Sequence, residues 1–252
     1  MIQFSDVSYR YPDGFGVEGI TFEIKQGEIL SLVGPNGAGK STILKLAAGH
    51  LSPSRGNVTL FDRNLSRLSA RRIAKEIAYL SQQGLRTDLS VEDVVLHGRF
   101  PHTVFPHLYG KKDRLLAQNA MKQMNLSDLA TRSLSSLSGG ERQKAMIAMA
   151  LCQNCPAILM DEPTAFLDAC ASIRLMEELR SFSAKGKGIL CVVHDLPLAL
   201  RFSHRIAVIN HGRIVSLETP EQTAKSGVLT DVFGIELAYS DDGFYYYGNI
   251  KK

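Results

Sequence analysis

The chain of 252 residues has no apolar run long enough for a bilayer-spanning helix. Its richest apolar stretch, residues 145–160, is broken by Cys152-Gln-Asn-Cys155-Pro156. There is no basic N-terminal region followed by an apolar core, so no secretory signal is read and a cytoplasmic protein is expected. Internal repeats, low-complexity tracts and heptads long enough for a coiled coil are also missing. Cysteine is scarce, at four residues. Cys152 and Cys155 have redox or zinc spacing, but the second pair of such a zinc site is lacking, so the cysteines are expected to be reduced and structural. Nor is charge of one sign concentrated. With 29 basic and 25 acidic residues the formal net charge is +4, too mild for the basic stripe of a nucleic-acid binder. Such a balance suits an anionic membrane surface or acidic nucleotides. What remains, 44% hydrophobic and 21% charged, is an ordinary globular composition with room for a sizeable core.

The pattern along the chain is α/β. Residues 2–10 and 17–24 alternate apolar and polar, as a half-buried antiparallel layer does. Residues 29–33, 57–61, 77–81, 157–160, 189–193 and 206–210 read as further strands. Residues 42–48, 111–124, 142–151, 172–182 and 196–202 have helical spacing, and Ser90-Val-Glu-Asp93 and Thr219-Pro-Glu-Gln222 are capping-box starts. This divides the chain into an α/β core, residues 1–84 and 156–252, interrupted by a helical subdomain at 85–155. The aromatic tail, residues 244–247, is expected to pair as an edge strand.

Residues Gly34, Pro35, Asn36, Gly37, Ala38, Gly39, Lys40, Ser41 and Thr42 form a complete phosphate-binding loop between a β-branched strand and a helix, the context it requires. Its glycines let backbone N–H groups converge on phosphate oxygens at the positive end of the helix. Lys40 is expected to reach the β- and γ-phosphates of ATP, and Ser41 to join the Mg²⁺ shell. Residues 158–162, Ile-Leu-Met-Asp-Glu, have the form of a Walker B segment. There Asp161 is expected to hold Mg²⁺ and Glu162 to polarise the attacking water. His194 follows a third apolar strand. Strand ends of an open parallel sheet converge on its ligand, so His194 becomes a candidate γ-phosphate or water contact.

Leu137-Ser-Gly-Gly-Glu141 is locally a capping box from Ser138 to Glu141. The box does not account for Gly139 and Gly140, which weaken a helix but bare the backbone N–H groups of an anion site. With this segment the chain resembles the ABC ATPase family over nearly its whole length, with motifs in the expected order. The resemblance implies a single P-loop NTPase (ABC ATPase) domain with an antiparallel β layer and an inserted helical subdomain. It also implies that Tyr11 stacks on adenine, with Tyr9 a competitor. Gln82, with Gln83 as an alternative, is implied to sense Mg²⁺ and water. Asp168 of Ala165-Phe-Leu-Asp168 falls in the D-loop, and His194 is the switch histidine. Two subunits would face head to tail, with Ser138, Gly139, Gly140 and Glu141 of one against the nucleotide of the other. Met149 and Phe166 depart from the family's usual arginine and small residue.

One core without a membrane segment is the organisation of importer ATPases. Residues 161–168 and 91–101 are similar to those of the subunits importing iron–siderophore complexes, haem and cobalamin. The expected cargo is an iron chelate, with cobalamin, another metal chelate or a soluble iron–sulfur assembly role as alternatives. The implied partners are a second ATPase subunit, a transmembrane permease dimer and an extracytoplasmic substrate-binding protein. The implied location is peripheral, on the cytoplasmic face of the cell membrane. His97, His102 and His107 recur among prolines at a spacing that suits no metal, and the exposed aromatic segment around them reads as a permease-docking surface. Arg67, Arg71, Arg72 and Lys75 read as a solvated helix face.

Overall fold

The computed structural model describes residues 1–81, 87–240 and 243–247, with side chains described as far as residue 236. Gln82 and Gln83 lie outside the described residues. The chain runs β1 (Ile2–Arg10), β2 (Gly16–Ile24), β3 (Ile29–Val33), α1 (Lys40–Ala47), β4 (Arg55–Leu60), β5 (Arg63–Asn64), α2 (Ala70–Glu76) and β6 (Ile77–Leu80). Three helices follow: α3 (Val91–His97), α4 (Lys111–Gln123) and α5 (Gly139–Gln153). Strands and helices then alternate through β7 (Ala157–Asp161), α6 (Ala169–Ala184), β8 (Gly188–Val192), α7 (Leu196–Phe202) and β9 (Arg205–Asn210). The chain closes with β10 (Arg213–Glu218), α8 (Pro220–Lys225), α9 (Val228–Phe233), β11 (Glu236–Ser240) and β12 (Gly243–Tyr247).

Among the described residues there are two main sheets. The smaller is antiparallel, in the order β2-β1-β4-β5, with Phe4 opposite Phe22 and their rings stacked at 4.6 Å. The larger has the order β10-β9-β3-β8-β7-β6, parallel except for β10. Every residue of β3, β7 and β8 is buried, which is why these strands read as unbroken apolar runs rather than alternating ones. Alternation reappears in what each face packs against. Leu30, Leu32, Leu159, Leu190 and Val192 join α1 and the small sheet in one apolar cluster. Their neighbours Ile29, Val33, Ile158, Met160 and Ile189 join α3 to α7 in another. The helices α3, α4 and α5 therefore share the core of the large sheet.

Three helices begin earlier than their apolar spacing suggests, α1 at Lys40 among them. Ser138 caps α5, so Gly139 and Gly140 sit inside its first turn, and Asp168 caps α6 by accepting from the Ala171 N–H at 2.7 Å. Caps are backbone-geometry signals, which apolar periodicity does not carry. The aromatic tail does pair, but with β11 in a hairpin of its own.

Candidate active site

Three parallel strands end side by side and deliver the candidate groups. After β3 the chain turns sharply at Gly34, where a Cβ would lie 2.2 Å from the carbonyl of Ile209, so only glycine fits. Gly39, at φ 107°, then opens α1. Lys40 is buried, and its ammonium donates to the carbonyls of Gly34 and Pro35 at 2.7 and 2.8 Å. Burial lowers its pKa, opposed by the nearby charges of Glu162 and Asp161.

Asp161 ends β7, is 4% exposed, and accepts from the Ser41 hydroxyl at 3.2 Å across 120 residues of sequence. Burial raises its pKa even though the Ser41 hydrogen bond works the other way. A buried carboxylate beside a hydroxyl is a set of hard oxygen donors. It fits Mg²⁺, which is commonly held by one or two carboxylates plus substrate phosphates. No group of three or more His, Cys, Asp or Glu side chains able to hold a metal occurs among the described residues.

Glu162 follows at φ 53°, a conformation in which a non-glycine residue is strained. Its N–H donates to the Val192 carbonyl at 3.2 Å, and its Oε1 lies 2.5 Å from Nε2 of His194, the residue two past β8. Glu162, His194 and residues 36–42 line one cavity of about 390 Å³. The expected groups of the loop, the Walker B segment and His194 are thus brought together.

The aromatic assignment is different. Phe15, not Tyr11, lines this cavity. Tyr11 stacks on Phe15 at 6.5 Å and edge-on to Tyr9 at 4.8 Å, so it stands one ring behind. Phe15 belongs to the turn between β1 and β2. That turn is folded back by bonds from Tyr11 N–H to the Phe15 carbonyl and from Phe15 N–H to Asp13.

At α5 the Ser138 hydroxyl donates to Glu141 at 2.7 Å, and the Ser138 N–H donates to the same carboxylate oxygen at 2.9 Å. These bonds lower the Glu141 pKa. Neither glycine behind the cap is demanded by its surroundings. A Cβ on Gly139 or Gly140 would meet only ordinary contacts, 3.7 Å from Phe166 Cβ and 3.4 Å from the Phe166 carbonyl.

Outside the site, Cys152, Cys155 and Cys191 are buried while Cys170 is exposed. Burial pushes the Cys152 thiol up to about 11 and that of Cys155 up to about 12. Phe105, Leu108 and Val104 are 87%, 78% and 72% exposed. Arg99 is buried, pairs with Asp113 at 2.9 Å and donates to the carbonyls of Cys152 and Gln153 at the end of α5.

The ABC transporter family profile matches residues 17–165, more than half of the chain. The chain belongs to the ABC transporter family, as an ATP-hydrolysing subunit. It is 36% identical over 239 residues to the petrobactin import ATP-binding protein FpuC of Bacillus anthracis, covering 94% of this chain and 88% of that one. It is 38% identical over 224 residues to the hemin import ATP-binding protein HmuV of Pseudomonas entomophila, covering 86% of each. Among solved structures it resembles the MJ0796 cassette dimer bound to ADP and Pi, with a TM-score of 0.79 and 28% identity. That match covers 87% of this chain and 99% of that one.

Proposed function

We propose that the protein powers import of an iron chelate, a ferric siderophore or haem, through a partner transmembrane permease. The observation that carries the ATPase part is the convergence of Lys40, Ser41 and the Glu162–His194 pair on one cavity, with Asp161 bonded to the Ser41 hydroxyl. The cargo rests on the relatives named for petrobactin and hemin import.

In this reading Lys40 exchanges the carbonyls of Gly34 and Pro35 for the β- and γ-phosphates. Ser41 and Asp161 are the residues that would hold Mg²⁺, which would supply charge neutralisation for the phosphates. Glu162 accepts the proton of the water whose oxygen attacks the γ-phosphorus, while the bond to the β-phosphate oxygen breaks and ADP leaves. His194 holds the Glu162 carboxylate at the cavity wall. Phe15, or Tyr11 behind it, stacks on adenine. The bare backbone of Gly139 and Gly140, unexplained by contacts inside the subunit, supports a role at the γ-phosphate of a second copy. There Ser138 has to exchange its bond to Glu141, and Asp168 holds the adjoining D-loop by capping α6. The exposed segment around Phe105 and Leu108 suits a permease, which would keep the subunit at the cytoplasmic face of the membrane and serve an extracytoplasmic binding protein.

The test is uptake of radiolabelled iron, as a ferric–siderophore panel and as haem, in cells carrying Glu162→Gln in place of wild type. Loss for one chelate with the others normal is expected. Unchanged uptake throughout would remove the iron cargo and bring cobalamin or a soluble role forward.

A further inference from the structure

The first turns of α5 dock onto the segment that carries Glu162. Gly139, Gly140 and Gln143 fall on one helix face, being four and three residues apart. Gly139 and Gly140 face Phe166 and Leu167, and Gln143 reaches past them. Its side-chain amide donates to the carbonyl of Pro163 at 3.1 Å. Gln143 is 7% exposed, so this is a buried polar side chain aimed at the residue directly after Glu162. Proline offers no N–H there, and the strained φ of Glu162 requires the surrounding structure to hold the turn. The same turn is braced by hydrogen bonds from Ala165 N–H to the Glu162 carbonyl and from Leu167 N–H to the Thr164 carbonyl. Those bonds are internal to the turn. The Gln143 bond ties it to another element.

We propose that Gln143 is a positioning residue. It locks the glycine-bearing end of α5 to the turn holding Glu162, so that placing one against a second copy's nucleotide also places the other against its own. This rests on the ATPase reading above. Gln143 touches no reacting atom. It acts by fixing where the Glu162 carboxylate sits, and small displacements of a catalytic group are costly in rate.

The experiment compares wild type, Gln143→Met and Gln143→Glu in steady-state ATP hydrolysis by the full chain. Methionine keeps the length and loses the donor. Glutamate keeps the shape, and donates only when protonated. The expected result for Gln143→Met is a fall in kcat of roughly 10- to 100-fold at unchanged KM for ATP, with cooperativity in ATP lost. For Gln143→Glu, kcat relative to wild type should recover as pH is lowered through the range in which a buried carboxyl gains its proton. A packing role alone would lower the thermal midpoint and leave no pH-dependent recovery. Wild-type kcat and cooperativity in both variants, or a loss that is pH-independent and tracks thermal stability, would overturn the proposal. Wild-type protein with no ATP turnover would instead remove the ATPase reading.

Discussion

Nε2 of His194 and Oε1 of Glu162 stand 2.5 Å apart, although 32 residues separate them in sequence. The pair joins the ends of two neighbouring strands, β7 and β8, at the wall of the phosphate cavity. In the proposed reading this carboxylate is the group that accepts the water proton. Glu162→Gln should therefore cut turnover by at least about 100-fold while leaving ATP binding intact, and should accumulate an ATP-bound dimer. Phosphate release and size-exclusion chromatography with ATP report both. Wild-type turnover in that variant would remove Glu162 from its role.

Phe15 and Tyr11 separate cleanly. Only Phe15 lines the cavity, so Phe15→Ala should weaken ATP binding by about 1–2 kcal/mol, roughly 5- to 30-fold, as loss of a base-stacking aromatic does. Tyr11→Ala should cost less, through lost support of the Phe15 ring. Titration with a fluorescent ATP analogue ranks the two, and the reverse order would restore Tyr11 as the stacking residue.

Asp161 predicts a trade of stability against function. Burial raises its pKa, so its favourable contribution is present below the unfolded pKa and is lost as pH rises through the folded one. At neutral pH the ionised group costs stability. Asp161→Asn, without nucleotide, should melt above wild type, by roughly 2–4 °C for each kcal/mol relieved, and the gap should close on acidification. Excess Mg-ATP should reverse the order, because wild type gains binding energy that the variant lacks. Thermal denaturation with EDTA or with Mg-ATP checks each arm.

Arg99 is a buried cation paired with Asp113. Burial works against ionisation of Asp113, yet the Arg99 hydrogen bond, the Gly110 N–H and the Arg99 charge together hold its pKa below the usual value. Its contribution is therefore present above the unfolded pKa and lost as pH falls through the folded one. Arg99→Met removes the cation from that carboxylate and one donor each from the carbonyls of Cys152 and Gln153, leaving the Gly110 N–H on Asp113 and His102 on the Gln153 carbonyl. It should destabilise the protein by about 1–3 kcal/mol and flatten the loss of stability on acidification. Urea denaturation at pH 7 and pH 4 measures both effects. Equal midpoints for variant and wild type would show that the network is dispensable.

Much of the candidate site was legible from residues 34–42 and 158–162, and the capping box of residues 138–141 was legible too, because phosphate binding and capping use short, contiguous patterns. Most strands were readable as alternations or as short apolar runs, whereas β5, β10 and β11 were not. What sequence could not supply were relationships between elements. Which aromatic meets the cavity depends on how the turn at residues 11–15 folds back. That Gln143 bonds the Pro163 carbonyl depends on α5 packing beside the exit of β7, twenty residues away. By itself the sequence determined the chemistry and the order of the elements, because those are local choices of backbone conformation and residue type. Tertiary structure alone decided which side chains share a cavity or a hydrogen bond. Those distances follow from how two sheets and their helices bury their apolar faces, and no window of sequence contains that information.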